Sequence, residues 1–431
     1  MNTEAWDWRK RLFEPQDFRV VLRRLVEASG LKPRIVRKKT LDAIGLVVAE
    51  NVRAKKDRPE HSVSRVDGFA VRSEDTVRAS RESPVRLKLV RDVDPRSASS
   101  YKLKRGEAVQ VDTGFPIPEG ADACVPVEKT IVEENSIIVS EPVRPGENII
   151  ARGSDFRKGS TILFKGEIVR EVHTRALLDT GVEELLVYEP PRVLLHPVGD
   201  ELVDPWELHD GAAGVPETSR LLLAGLLSPI PARIEFGDIL PDDPPTIMSA
   251  IEEALDKGVD IIVTISGTSI GRKDHTWLAL REKLKPKYAY RGVRGMEGKT
   301  NSGMALDGTL VINLPGFTQS MLSGAILILS QILSYMNGFG LRICFPCESL
   351  IAENTVELGS PELYRVRFVE KTGSGTGKVF PRPLAPHAVY ELTRSDGFII
   401  AEPGRTHVRK GDAIIVFGAG KGKKLCCTAT L

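Results

Sequence analysis

A chain of 431 residues with 41% apolar and 27% charged side chains has ordinary globular composition, with room for roughly two to four domains. Its 60 basic and 58 acidic residues leave a formal net charge of +2, so no global field argues for nucleic acid. No apolar run of about 18 residues and no charged-then-apolar leader occurs, which predicts neither a membrane span nor a signal peptide.

Residues 16–29 have the apolar spacing of a helix and stop at Gly30; Thr40 to Val52 reads as a further helical or turn-helix segment. Asp67-Gly68 sets a favoured turn pair directly before the apolar strand Phe69-Ala70-Val71. Residues 84–150 alternate short strands with Gly/Pro turns, the pattern of a small β-rich insertion. Within it, Asp112-Thr113-Gly114 followed by Pro116 and Pro118 makes a rigid loop able to present a hydroxyl and backbone amides. Pro145 to Gly159 reads as the return from the insertion, and Glu167 to Leu178 as a helix ending near Gly181.

From about 188 to 340 the pattern changes. Val193-Leu194-Leu195, Asp260 to Ile265 and Thr309 to Leu314 are short apolar runs of the kind that form fully buried parallel strands. Helix-like segments at Glu217–Leu227 and Pro245–Leu255 lie between the first two, which predicts a doubly wound α/β domain. Leu322 to Leu333 is the most apolar stretch and reads as a core helix. Asn337 to Gly340 reads as a linker to a last block, 345–431, whose strand patterns at Leu363–Val369, Gly397–Ala401 and Ala413–Phe417 predict a small β-barrel or sandwich.

Ligands of doubly wound sheets bind beyond the carboxyl ends of the strands, and the chemistry-bearing residues of this chain fall there. Gly199-Asp200-Glu201 follows the first run and Asp242-Asp243 precedes the second helix. Ser266-Gly267-Thr268-Ser269-Ile270-Gly271 and Asp274 follow the second run, Lys299 precedes the third, and Pro315-Gly316 follows it. Carboxylates in several loops at one edge suit Mg²⁺, which takes one or two carboxylates plus water and phosphate oxygens. The amides of a Gly/Ser turn opening a helix suit phosphate. Each acid read alone is as well explained as a helix cap, and each glycine as a turn. The chain carries neither a dinucleotide Gly-x-Gly-x-x-Gly after a strand nor a P-loop.

Five cysteines are too few for a disulfide framework in a chain of this length and predict a reducing, cytoplasmic setting. Cys344, Cys347, Cys426 and Cys427 bracket the last block; a four-thiolate zinc site is one reading, packing or a disulfide the favoured one. His196 and His275 lie near the predicted site, where a structural role is the favoured one. The wealth of Arg, Lys and Glu fits a thermophile.

Eight short motifs then line up in order. They are Ser-x-x-Asp-Gly-Phe-Ala-Val-Arg at 64–72, Thr-Gly-x-Pro-x-Pro-Glu-Gly-Ala-Asp at 113–122, Gly-Glu-Asn-Ile at 146–149 and Gly-x-Asp at 153–155. Gly-Asp-Glu-Leu at 199–202, Asp-Asp-Pro at 242–244, Ser-Gly-x-Ser-x-Gly-x-x-Asp at 266–274 and Leu-Pro-Gly at 314–316 complete the series. In order and spacing they resemble the molybdopterin molybdenumtransferase family (MoeA and the gephyrin E domain), of which this chain reads as a divergent, archaeal-type member.

The resemblance implies a helical or extended domain I over 1–53 plus 151–187 and an inserted β-rich domain II over 54–150. A MoaB/Mog-like α/β domain III over 188–340 and a C-terminal β-barrel domain IV over 345–431 would follow. It implies an elongated, cytoplasmic homodimer, without nucleic acid or membrane, working downstream of a molybdopterin adenylyltransferase. The implied reaction inserts molybdate or tungstate into adenylylated molybdopterin, releasing AMP with Mg²⁺. Carried over by position, Asp67, Thr113, Glu201, Asp242 and Asp274 would be catalytic, and Asp155 falls on a motif acid. Asp200, Glu201, Asp242 and Asp274 would hold metal. Gly199, Ser266, Gly267, Ser269, Gly271, Lys299, Pro315 and Gly316 would bind the pterin nucleotide.

The chain departs from the family pattern at Pro197-Val198, Thr268, Met296-Glu297 and Phe317-Thr318, which removes hydroxyls and a lysine and adds an acid. Arg291 and Arg294 are near enough to compensate, and the barrel's arginine falls at Arg365 or Arg367. These changes support a second reading, a paralogue that binds a pterin nucleotide, an oxyanion or a partner protein with altered specificity or without turnover.

Overall fold

The computed structural model describes residues 15–207, 213–266, 275–381, 389–418 and 425–428. Helix α1 (Phe18–Ser29) starts where Asp17 accepts a hydrogen bond from the amide of Arg19, 3.0 Å, and stops at Gly30 in the left-handed conformation. Its buried stripe of Phe18, Val21, Leu22 and Leu25 joins the core of the central sheet. At roughly 1.5–3 kcal/mol for each buried side chain, that stripe is ample to hold a 12-residue helix in place.

Thr40 to Val52, expected as a helical or turn-helix segment, forms turns and no helix. Its backbone is bonded outward instead: the amide of Thr40 donates to Glu183, that of Gly45 to Val169, that of Val48 to Glu167 and that of Ala49 to Leu186. Long-range partners take the groups that a helix would have paired internally, and tertiary context overrides local propensity. The strand Ile35–Lys39 pairs antiparallel with Glu184–Tyr188, and Val48, Leu163, Leu177 and Leu185 share one core. Between these two halves, six strands form a separate sheet in the order Ala123–Pro126, Gly68–Val71, Glu107–Val111, Val85–Val90, Ser136–Val139, Thr130–Val132. It has apolar clusters of its own.

The central sheet has six strands: β1 (Arg192–Pro197), β2 (Arg233–Phe236), β3 (Ile261–Ile265), β4 (Tyr288–Arg291), β5 (Ser302–Ala305) and β6 (Leu310–Leu314). Their order is β2-β1-β3-β6-β5-β4, parallel through the first four and antiparallel at β5 and β4. Helix α2 (Ser219–Leu227) packs with α1 on one face; α3 (Pro244–Asp256) and α4 (His275–Leu284) cover the other. The sheet is doubly wound, and its strand order reverses between β1 and β3.

Helix α5 (Thr318–Met336) runs past both predicted ends of the Leu322–Leu333 segment. By length and composition it could cross a bilayer, yet 89% of its apolar window is buried inside the protein, where it is the core helix beneath sheet and barrel.

The last block closes on itself. Cys344–Ala352, Thr376–Val379, Arg365–Gly373, Gly397–Ala401 and Ala413–Phe417 pair around a ring, because the first and second of these also pair with each other. Closure removes the exposed edges of a five-strand sheet. The strand Leu425–Cys427 adds to the Cys344 strand, and the four cysteines form two disulfides, Cys344–Cys427 and Cys347–Cys426. The pairing rules out the zinc reading. It also withdraws cysteine usage as an argument for a reducing compartment, since disulfides persist in oxidising settings and in hyperthermophile cells.

Candidate functional site

Register assembles the site. Pro197 of β1 lies opposite Ile265 of β3, and Ile265 lies opposite Leu314 of β6, so the three strands end level. The next residues, Gly199-Asp200-Glu201, Ser266 and Pro315-Gly316, therefore leave one sheet edge together, at the point where the strand order reverses. Two bonds extend the edge: the amide of Val198 donates to Ile265 (2.9 Å) and that of Gly199 to Leu240 (3.0 Å). The second draws in the loop after β2 that carries Asp242.

Within that loop the two neighbouring acids part company. Asp243 caps α3, accepting from the amide of Thr246 at 3.0 Å and from its hydroxyl at 2.6 Å, and these bonds hold its carboxyl below the usual carboxylate range. For Asp243 the cap is the whole explanation. Asp242 instead donates its amide to the carboxylate of Asp200, 2.9 Å, which joins the two loops. An open groove of about 500 Å³ runs beside them, lined by Gly199, Asp200, Asp204, Glu207, Arg220 and Asp238 among others. Glu201 is exposed, and its carboxylate folds back against Gly199.

Ser266 turns the chain out of β3 with φ at 73°, a conformation that costs a non-glycine residue energy and clusters at functional sites. Asn313 braces it: the Asn313 amide donates to the Thr264 hydroxyl at 2.6 Å and to the Ser266 carbonyl at 3.1 Å. Opposite, Gly316 approaches so closely that a Cβ there would stand 2.9 Å from the Ser266 hydroxyl. Asn313 was missed in the sequence reading. The signal was an amide inside a buried strand, where a polar group must find a partner.

Gly267, Ser269, Gly271 and Asp274 lie outside the described residues, as does Thr268. Lys299 comes to the same edge by topology, because β5 runs opposite to β6, so the loop entering β5 sits where β6 ends. Lys299 is exposed there. Of the two arginines expected to compensate, Arg291 is buried over the ring of Trp277, 5.5 Å away, and that burial pulls its basicity down. Arg294 is exposed on the short strand that pairs with Gln16–Asp17.

Asp67 and Thr113 meet each other in the inserted sheet, not in the central core. The Thr113 amide donates to the Asp67 carboxylate at 2.7 Å, which holds this exposed carboxyl below the usual carboxylate range. Gly68 follows because a Cβ there would collide with the carbonyl of Val125. Asp155 is an ion-pair partner of Arg58, which also holds Asp179 at 2.8 Å.

Pro197 and Val198 are buried in the strand end. Arg365 gives its guanidinium to the carbonyls of Gly359 (2.7 Å) and Arg405 (2.6 Å), and Arg367 is likewise buried and paired with Glu297.

Among the described residues no group of three or more Asp, Glu, His or Cys is gathered tightly enough to hold a metal. Of the four expected metal ligands, Asp200, Glu201 and Asp242 are described and are not gathered that tightly, while Asp274 lies outside the described residues. Asp200 and Asp242 are joined by a backbone amide to carboxylate bond, which brings their two loops together.

Comparison with known proteins agrees with this geometry. A model of the MoeA N-terminal region (domain I and II) matches residues 17–181, and one described as "Probable molybdopterin binding domain" matches residues 196–335. A molybdopterin molybdenumtransferase of Synechococcus elongatus is 32% identical over 277 residues, 64% of this chain and 68% of that protein. One of Staphylococcus aureus is 27% identical over 327 residues, 75% of this chain and 76% of that one. The crystal structure of a molybdopterin biosynthesis MoeA protein of Pyrococcus horikoshii shares the fold, with a TM-score of 0.72 over 94% of this chain and 100% of that chain at 24% identity. The chain belongs to the molybdopterin molybdenumtransferase family, the transferases of molybdenum cofactor biosynthesis.

Proposed function

We propose that this protein inserts molybdate or tungstate into adenylylated molybdopterin and releases AMP, at the carboxyl edge of the central sheet. The level ends of β1, β3 and β6 at the strand-order reversal carry the reading, because they gather acids, a tight polar turn and Lys299 at one crevice. Asp200 and Asp242 would hold Mg²⁺, with Glu201 beside them and Asp274 as a further candidate. When bound, the ion supplies a counter-charge for a phosphoanhydride. Lys299 attracts the anionic end of the nucleotide, while Ser266 and the Pro315-Gly316 turn wall it in and exclude water.

The protein would act as a homodimer in the cytoplasm, downstream of an adenylyltransferase, with four domains divided as the motif order implies. In that arrangement Asp67 and Thr113 of one subunit face the central edge of the other. This gives a reason for two candidate centres lying on separate sheets of one chain. The test is turnover: purified protein, Mg²⁺ and adenylylated molybdopterin should release AMP only when molybdate or tungstate is added. Tight binding without release favours the second reading, a non-catalytic paralogue, for which the sequestered Arg365, Arg367 and Glu297 speak.

A further inference from the structure

Glu297 is the acid that the sequence adds to a loop expected to bind anions, and its partner explains why it does no harm there. Arg367, on the barrel strand Arg365–Gly373, is 1% exposed and grips the Glu297 carboxylate with both terminal nitrogens, at 2.9 and 3.0 Å. The same nitrogens donate to the carbonyls of Val366 (2.8 Å) and Leu358 (2.6 Å), so the guanidinium cannot swing away. The backbone repeats the contact: the Tyr364 amide donates to Gly295 at 2.7 Å, and the Glu297 amide to Tyr364 at 3.3 Å. At its other end the loop is tied to its own hairpin, where the amide of Val293 donates to the carbonyl of Lys299 at 3.0 Å. Lys299 thus hangs between two anchors, one of them two residues away in the barrel.

We propose that the Glu297–Arg367 pair is a positioning clamp through which the C-terminal barrel sets Lys299 at the edge of the central sheet. The proposal rests on the reading of Lys299 as the cation that receives the anionic end of the nucleotide. A bidentate guanidinium–carboxylate pair fixes orientation as well as distance. Arg367 also neutralises Glu297, so the loop presents the charge of Lys299 undiminished. The barrel contributes no side chain to the anion by this route; it contributes the loop's position.

AMP binding to the full chain, by titration calorimetry, tests the clamp. Lys299→Ala should weaken AMP by about 10- to 100-fold, the worth of one charge-assisted hydrogen bond. Glu297→Leu combined with Arg367→Met keeps the seam filled with apolar side chains. It should weaken AMP to a similar extent, and its effect should vanish when Lys299 is already alanine. A clamp-free protein that melts cooperatively and binds AMP like the wild type overturns the clamp, as does an equal loss in the Lys299→Ala background. Should the apolar pair fail to melt cooperatively, Glu297→Asp, which keeps the charge and shortens the arm, is read by the same two outcomes. Wild-type protein that binds no AMP, or Lys299→Ala protein that binds it normally, refutes the functional reading of Lys299 and the clamp with it.

Discussion

Two parts of this molecule are built from the same kinds of residue and use them oppositely. At the carboxyl edge of the central sheet, Asp200, Asp242 and Lys299 stand in loops that water reaches. At the seam between that sheet and the barrel, Arg365 and Arg367 are buried and Glu297 is mostly covered, and their charges are met by one another and by backbone carbonyls. An exposed charge such as Lys299 can meet a ligand from solution. A buried one must be paired, because desolvation costs more than any loose contact returns. Burial, not residue type, separates the candidate site from the structural joint.

The sharpest way to break the comparison is to remove one partner at the seam. Arg367→Ala leaves Glu297 uncompensated and should lower stability by about 3–5 kcal/mol, read by chemical denaturation. A change below about 1 kcal/mol would mean that the seam is wet and the contrast false. At the open edge the effect should be inverted. Asp242→Ala should stay within about 0.5 kcal/mol of the wild type in stability, yet cut AMP release by about 100-fold or more; a variant that keeps full turnover ends the proposed role of that acid. The smallest effect belongs to Asp67. Its folded-state pKa is held below the ordinary value, first by the Thr113 amide, so the contact persists at neutral pH and is lost only as pH falls through that lowered value. In an NMR titration the Thr113 amide should be flat above about pH 5 and shift only in the acid range; a midpoint at or above the usual aspartate value would show that the bond does not form.

Much of the site was legible because it is written in short local patterns. An apolar run followed by Gly-Asp-Glu, or by Leu-Pro-Gly, marks a strand and the turn beyond it, and parallel strands that end level bring such turns together. Other features were not legible. Thr40 to Val52 has helical spacing, but the amides of Thr40, Gly45, Val48 and Ala49 find partners more than a hundred residues away. Glu297 looked like an unwelcome acid because its partner lies 70 residues on, in another domain. Nothing in the spacing of Cys344, Cys347, Cys426 and Cys427 distinguished zinc from disulfides; the pairing of the first and last strands of the block did.

The sequence by itself determined the α/β class of the central region, the residues that end its strands and the family to which they belong, since periodicity and turn chemistry are properties of neighbours along the chain. Only the tertiary structure decided which charges are exposed and which are buried. Asp243 became a helix cap, Arg365 and Arg367 became buried ties, and Asp200 and Asp242 were joined across two loops. Those outcomes depend on desolvation and on partners distant in sequence, and a chain acquires both only when it folds.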